Sequence, residues 1–186
     1  RSPWSGENRN WTAREAVEDE YPLLRKDESA FNSEGGAPSF PSRADTRFFL
    51  PDGAALHEDE LEKDEAFRLH AGSTLRWHRK EYLHGMYRNV REHFAPWRDA
   101  DGLVYLTQLF QADALTRYVD HFRASGITCG GVMIWKFADT WPDVELTVYD
   151  HGGRRKQAWY AVRRAMAPLV LCPVFDERGF GFAVCS

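Results

Sequence analysis

Two short stretches of this sequence combine reactive or sugar-shaped side chains with local breaks that expose them. The first is Phe31-Asn32-Ser33-Glu34-Gly35-Gly36, a short strand-like run ending in a glycine pair. A carboxylate projecting from a strand end can attack an anomeric carbon and form a covalent glycosyl-enzyme; the alternative is that Glu34 is an exposed loop residue. The second is Trp135-Lys136-Phe137-Ala138-Asp139-Thr140-Trp141-Pro142. A tryptophan at a strand end offers a flat apolar face to the C–H side of a sugar, and Asp139 can accept hydrogen bonds from sugar hydroxyls; the alternative is that both tryptophans plug the mouth of the fold. The candidate catalytic residue is therefore Glu34, and the candidate substrate-binding residues are Trp135, Asp139 and Trp141. Cys129, Cys172 and Cys185 are too few and too scattered for a zinc site or a disulfide framework. No metal or cofactor is signalled.

The elements that must position these residues follow from hydrophobic spacing. Residues 1–12 are polar and turn-like, and a short amphipathic stretch covers Ala13–Glu20. The segment Ala37–Leu50, with Pro38, Pro41 and the adjoining Pro51, reads as a loop with a helical turn. The acidic run His57–Glu65 reads as a solvated helical face or loop. Leu83, Met86, Tyr87, Val90 and Phe94 recur at a period near 3.6 and predict a helix over Glu81–His93. Leu106, Leu109, Phe110, Leu115, Tyr118, Val119 and Phe122 predict a second, longer one over Leu103–Arg123, closed by Ser125-Gly126 as a C-cap. The apolar run Gly130–Phe137 is too short for a core helix and reads as a strand. A last helix is expected over Arg155–Ala167. The tail, Leu169–Phe175 and Phe180–Cys185 about Asp176-Glu177-Arg178-Gly179, reads as a two-strand hairpin.

Strands alternating with helices argue an α/β fold with a parallel sheet. A closed (β/α)8 barrel needs about 250 residues, and this chain has 186. Its composition, 43% hydrophobic and 28% charged, is that of an ordinary globular protein. Aromatic content of 14% fits either a stacking surface or a large aromatic core. Acidic residues outnumber basic ones, 28 to 24, so no basic stripe suits a phosphate backbone and nucleic acid is not an expected partner. No stretch is apolar enough to span a membrane as a helix. Nothing in the sequence assigns a compartment, whether cytoplasm or exterior; a soluble protein is expected.

Four segments together resemble glycoside hydrolase family two in its β-mannosidase branch. Phe31-Asn32-Ser33-Glu34-Gly35-Gly36, continued by Ala37-Pro38-Ser39-Phe40-Pro41-Ser42, resembles the nucleophile segment Phe-x-Ser-Glu-Phe-Gly followed by Ser-x-Pro-Ser. Tyr105-Leu106-Thr107-Gln108-Leu109-Phe110-Gln111-Ala112 is similar to the Tyr-x-x-Gln-x-x-Gln-Ala helix. Trp135 through Pro142 is similar to the Trp-x-x-Asn-Asp-x-Trp-Pro strand end. Asp150-His151-Gly152-Gly153-Arg154-Arg155-Lys156 with Ala158-Trp159-Tyr160 resembles Asp-Tyr-x-Gly-x-x-Lys followed by Ala-Tyr-Tyr. The four occur in the family's order and cover most of residues 29–168.

The resemblance implies the C-terminal portion of a (β/α)8 TIM barrel over residues 1–168, followed over 169–186 by the first strands of a β-sandwich domain. It implies a retaining exo-β-glycosidase in which Glu34, on the seventh strand, is the nucleophile and Trp135, on the eighth, lines the terminal sugar subsite. The implied partners are a carbohydrate substrate and the remainder of a parent polypeptide. The family's acid/base glutamate follows an Asn, and no Asn-Glu pair occurs in these residues, so that group is expected outside this chain. Gly35 stands where the family has Phe, Ala138 where it has Asn, and Lys136 where Gln is common. These departures surround the subsite and leave open a β-glucosaminidase-type member, or a non-catalytic sugar-binding module.

Overall fold

The computed structural model describes residues 30–54, 57–71, 80–125, 129–176 and 179–186; the expected stretches at 1–12 and 13–20 lie outside them. Strand β1 (Asn32–Gly35) leads through a loop into three short helices, α1 (Arg43–Thr46), α2 (Glu58–Leu61) and α3 (Glu65–His70). Two long helices follow, α4 (Lys80–His93) and α5 (Ala100–Ala124), then strand β2 (Val132–Ile134), helix α6 (Gln157–Ala165) and the strands β3 (Val170–Asp176) and β4 (Gly179–Cys185).

The spacing that predicts α4 is also what buries it: Leu83, Met86, Tyr87 and Val90 are all inaccessible to solvent, while His84 and Arg91 lie outside. Helix α5 starts where the Asp99 carboxylate accepts the Gly102 N–H at 2.7 Å, satisfying one of the amides that a helix N-terminus leaves without an intrahelical partner. It is buried on more than one face because α4, α6, β3 and β4 all pack against it. Its end is capped by Ser125, whose N–H reaches the His121 carbonyl at 3.0 Å; the expected Gly126 cap lies outside the described residues. Helix α6 turns Ala158, Ala161 and Ala165 inward, and side chains this small let two helix axes close together.

β1 and β2 pair in parallel, Asn32 with Val132 and Gly35 with Ile134. A parallel pair cannot be closed by a tight turn, and the intervening helices make the crossover; the fold is α/β. The second strand is shorter than the apolar run Gly130–Phe137 suggests. After Ile134 the chain leaves the ladder through a cis Trp135–Lys136 peptide, and the Phe137 carbonyl instead accepts the N–H groups of Val148 and Tyr149 at 3.1 and 3.0 Å. Among the described residues this sheet has two strands.

The largest core cluster gathers Phe40, Phe49, Phe67, Leu83, Met86, Tyr87, Leu103 and Phe110 beneath the loop after β1. Full burial of each such aliphatic or aromatic side chain contributes roughly 1.5–3 kcal/mol. A second cluster, Tyr118, Val119, Phe122 and Ala165, backs the two parallel strands through Val132 and Ile134. The tail forms the expected hairpin, in seven antiparallel pairs from Val170–Cys185 to Asp176–Gly179, and α5 lies against it. No helix among the described residues is long and apolar enough to cross a membrane.

Candidate functional site

Glu34 and Trp135 stand at the same end of adjacent parallel strands. The Trp135 N–H donates to the Gly35 carbonyl at 2.8 Å, which ties the residue after Glu34 directly to the candidate subsite tryptophan. Glu34 is half-buried, and its N–H donates to Asn32 Oδ1 at 3.3 Å. That same oxygen accepts the Tyr118 hydroxyl at 2.8 Å, so helix α5 holds the strand from behind. The packing there also accounts for Gly35. A Cβ on residue 35 would lie 2.1 Å from Tyr118 Cζ, so this ring occupies the space that any side chain would need. Gly36 is equally confined, its Cβ position falling 2.3 Å from the Trp135 carbonyl oxygen.

The loop after β1 is held by two glutamines one helical turn apart on α5. Gln111 is fully buried. Its amide donates to the carbonyls of Ala37 at 2.8 Å and Thr147 at 3.0 Å, and its oxygen accepts the Ser39 hydroxyl at 2.7 Å. Gln108 donates to the Phe40 carbonyl and accepts the Gln157 N–H, both at 3.2 Å. The pair thus fastens the glutamate-bearing segment, the segment after Trp141 and the start of α6 to one helix. A third fastening is electrostatic. Asp150 accepts the N–H of Arg154 at 2.7 Å and of Ser42 at 3.3 Å. Asp45, on α1, accepts from Gly152 N–H at 2.8 Å and Arg154 Nη1 at 3.0 Å.

Trp135 and Trp141 are 38% and 54% exposed, as a stacking surface requires. Asp139 is placed differently. Its side chain is only 2% exposed, with Oδ2 3.8 Å from Lys156 Nζ. Burial pushes the Asp139 carboxyl above its ordinary value, opposed by Lys156 and the Thr147 hydroxyl. Burial likewise pushes the Lys156 ammonium down, opposed by Asp139 and Glu145. Lys156 Nζ donates to the carbonyl of Glu145 at 3.2 Å. Lys136, beside Trp135, reaches the buried Glu145 carboxylate at 3.2 Å. Two cations and two carboxylates therefore lie together beneath the Trp135–Trp141 turn. A buried charge is tolerable only when paired. Among the described residues no group of three His, Cys, Asp or Glu side chains is placed to hold a metal ion.

No protein-family model matches the chain. It is 28% identical over 176 residues to curated relatives named β-mannosidase B from Aspergillus terreus and Aspergillus niger, covering 91% of this chain and 19% of theirs. The Aspergillus oryzae protein of the same name is 26% identical over 172 residues, with the same coverage. The crystal structure of β-D-mannosidase from Dictyoglomus thermophilum superposes with a TM-score of 0.71 at 23% identity, over 92% of this chain and 21% of that one. This chain is β-mannosidase-like. The structural likeness bears on the fold alone, and the chain spans about one fifth of the length of the curated relatives it matches.

In the β-mannosidase-like chain, several residues that shape the site were not among the sequence candidates. Gln108 and Gln111 stand out in the sequence only as members of a motif, with no hint of what they bind. Lys156 likewise enters the sequence reading only as the last residue of a motif, with no hint that it is buried against Asp139 and the Glu145 carbonyl. His70 carries no local signal at all, yet its ring stacks on Trp141.

Proposed function

We propose that the β-mannosidase-like chain is the C-terminal part of a (β/α)8 barrel in a retaining exo-β-glycosidase that hydrolyses terminal β-linked mannosides, with residues 169–186 beginning a following β-sandwich domain. Glu34 attacks the anomeric carbon and forms a glycosyl ester as the glycosidic C–O bond breaks. A second carboxyl group, outside this chain, gives its proton to the departing oxygen. It then takes a proton from the water that hydrolyses the ester, freeing the sugar and restoring Glu34. Trp135 and Trp141 form the subsite walls. Asp139 contributes through the turn that it anchors to Lys156, consistent with its buried carboxylate.

The observation that carries this reading is the pairing of Glu34's strand with Trp135's, which brings a carboxylate and an exposed indole to one strand end through the 2.8 Å Trp135–Gly35 hydrogen bond. A full-length polypeptide treated with 2-deoxy-2-fluoro-β-mannosyl fluoride should carry the label on the peptide containing Glu34, read by mass spectrometry. E34Q should abolish labelling and lower kcat by on the order of 10⁴- to 10⁶-fold, as removal of a covalent catalyst does. Turnover with the label on another residue would overturn the role of Glu34. Labelling only by the gluco-configured reagent would move the substrate away from mannosides, and binding without turnover of any β-glycoside would favour a sugar-binding module.

A further inference from the structure

We infer that His70 is a positioning residue that holds Trp141 as a stacking platform for the sugar; the sugar role, though not the brace, rests on the glycosidase reading above. The His70 ring lies between two aromatic faces. It is 4.9 Å from Phe49 at an interplanar angle of 17° and 4.7 Å from Trp141 at 16°. Phe49 is itself part of the core, packed against Phe40 and Phe67. The column therefore runs from the core, through an imidazole, to an indole that remains 54% exposed. With one face against His70, Trp141 keeps its other face for a ligand.

Two further contacts from the same residue fix the chain just beyond the indole. His70 Nδ1 meets the Pro142 carbonyl oxygen. A carbonyl only accepts, so Nδ1 must carry the proton. The His70 carbonyl accepts the Val144 N–H at 2.9 Å. Residues 141, 142 and 144 are thus all held by one histidine at the end of α3, an element 71 positions earlier in the sequence. A side chain used only as core filler would need the stack or the hydrogen bond; the combination sets both the tilt of the indole and the path of its backbone. A platform fixed in advance binds more tightly because less motion is lost when the sugar docks.

The test uses the full-length polypeptide with an aryl β-mannoside as substrate. Loss of one aromatic stacking partner corresponds to a change of about two- to tenfold in an equilibrium. H70A should therefore raise KM by about two- to tenfold with kcat nearly unchanged, and H70F, which keeps a flat ring in the column, should recover most of the difference. Acrylamide quenching of Trp141, isolated by comparing each protein with its own W141F partner, should rise in H70A and stay low in H70F. Should H70A fail to fold, H70L supplies bulk without a flat ring and takes its place. Unchanged quenching in H70A overturns the brace whether or not the polypeptide is active. A fall in kcat at constant KM overturns the platform role. A wild-type polypeptide that turns over no β-glycoside overturns the glycosidase reading and the sugar role with it, while the quenching result still decides the brace.

Discussion

Cys172 shows how far a single side chain's chemistry depends on what surrounds it. Its thiol is buried on the inner face of the hairpin, and burial pushes its pKa from 9.0 up to about 12, with the neighbouring Cys185 thiol and Asp120 adding to the shift. The thiolate is the nucleophile, so iodoacetamide at mildly alkaline pH should modify the partly exposed Cys129 well before Cys172, as followed by peptide mass spectrometry. The same shift has a consequence for stability. Between the two values the unfolded thiol has lost its proton while the folded one retains it, so the folded state binds more protons. This contribution is complete below 9.0 and is lost as pH rises through about 12. Wild-type stability should decline more steeply across that window than that of C172S, by urea denaturation at stepped pH. Fast labelling of Cys172 in the native chain would contradict its enclosure.

At the scale of elements, the fold depends on helix α5 as a backbone for loops that make no regular structure of their own. Gln111 satisfies the Ala37 and Thr147 carbonyls and the Ser39 hydroxyl from one buried amide. A buried polar group that loses its partner costs roughly 1–3 kcal/mol. Q111L keeps the volume and removes all three bonds, so it should destabilise the chain by about 2–4 kcal/mol in a denaturant titration. An effect well below that range would mean that water replaces the amide and that the clamp is not needed. Helix periodicity located α4 and α5 to within a few residues, because amphipathic spacing is a local property. The shortening of β2 was not legible, since the apolar residues continue past the point where the Phe137 carbonyl turns to Val148 and Tyr149.

Over the whole molecule, the most conspicuous surface is the outer face of the hairpin. Leu171 pairs with Val184 and Pro173 with Phe182, and Leu171, Phe180, Phe182 and Val184 are all exposed. An apolar sheet face of this kind promotes association. The 186-residue chain should scatter light in a concentration-dependent way, and the double variant L171K/F182E should reduce this without lowering the melting temperature. A monomeric wild-type chain at high concentration would count against the idea. The inner face of the same hairpin carries Cys172 toward α5, so the two faces of one alternating sequence meet opposite environments.

The order of the strands and long helices and the burial stripe of α4 and α5 were readable from sequence, because each depends on neighbours a few positions away. The resemblance implies neighbouring strands for Glu34 and Trp135, but the register needed the fold: the two lie about a hundred residues apart, and the parallel pairing of Gly35 with Ile134 brings them to one edge. The inward turn of Asp139 onto Lys156, the need for glycine at 35 beneath Tyr118, and the column from Phe49 through His70 to Trp141 likewise had no trace in the sequence. Each is a contact between segments far apart along the chain. Such contacts arise from close packing, which fixes where a ring or a charge must go without marking the residues that surround it.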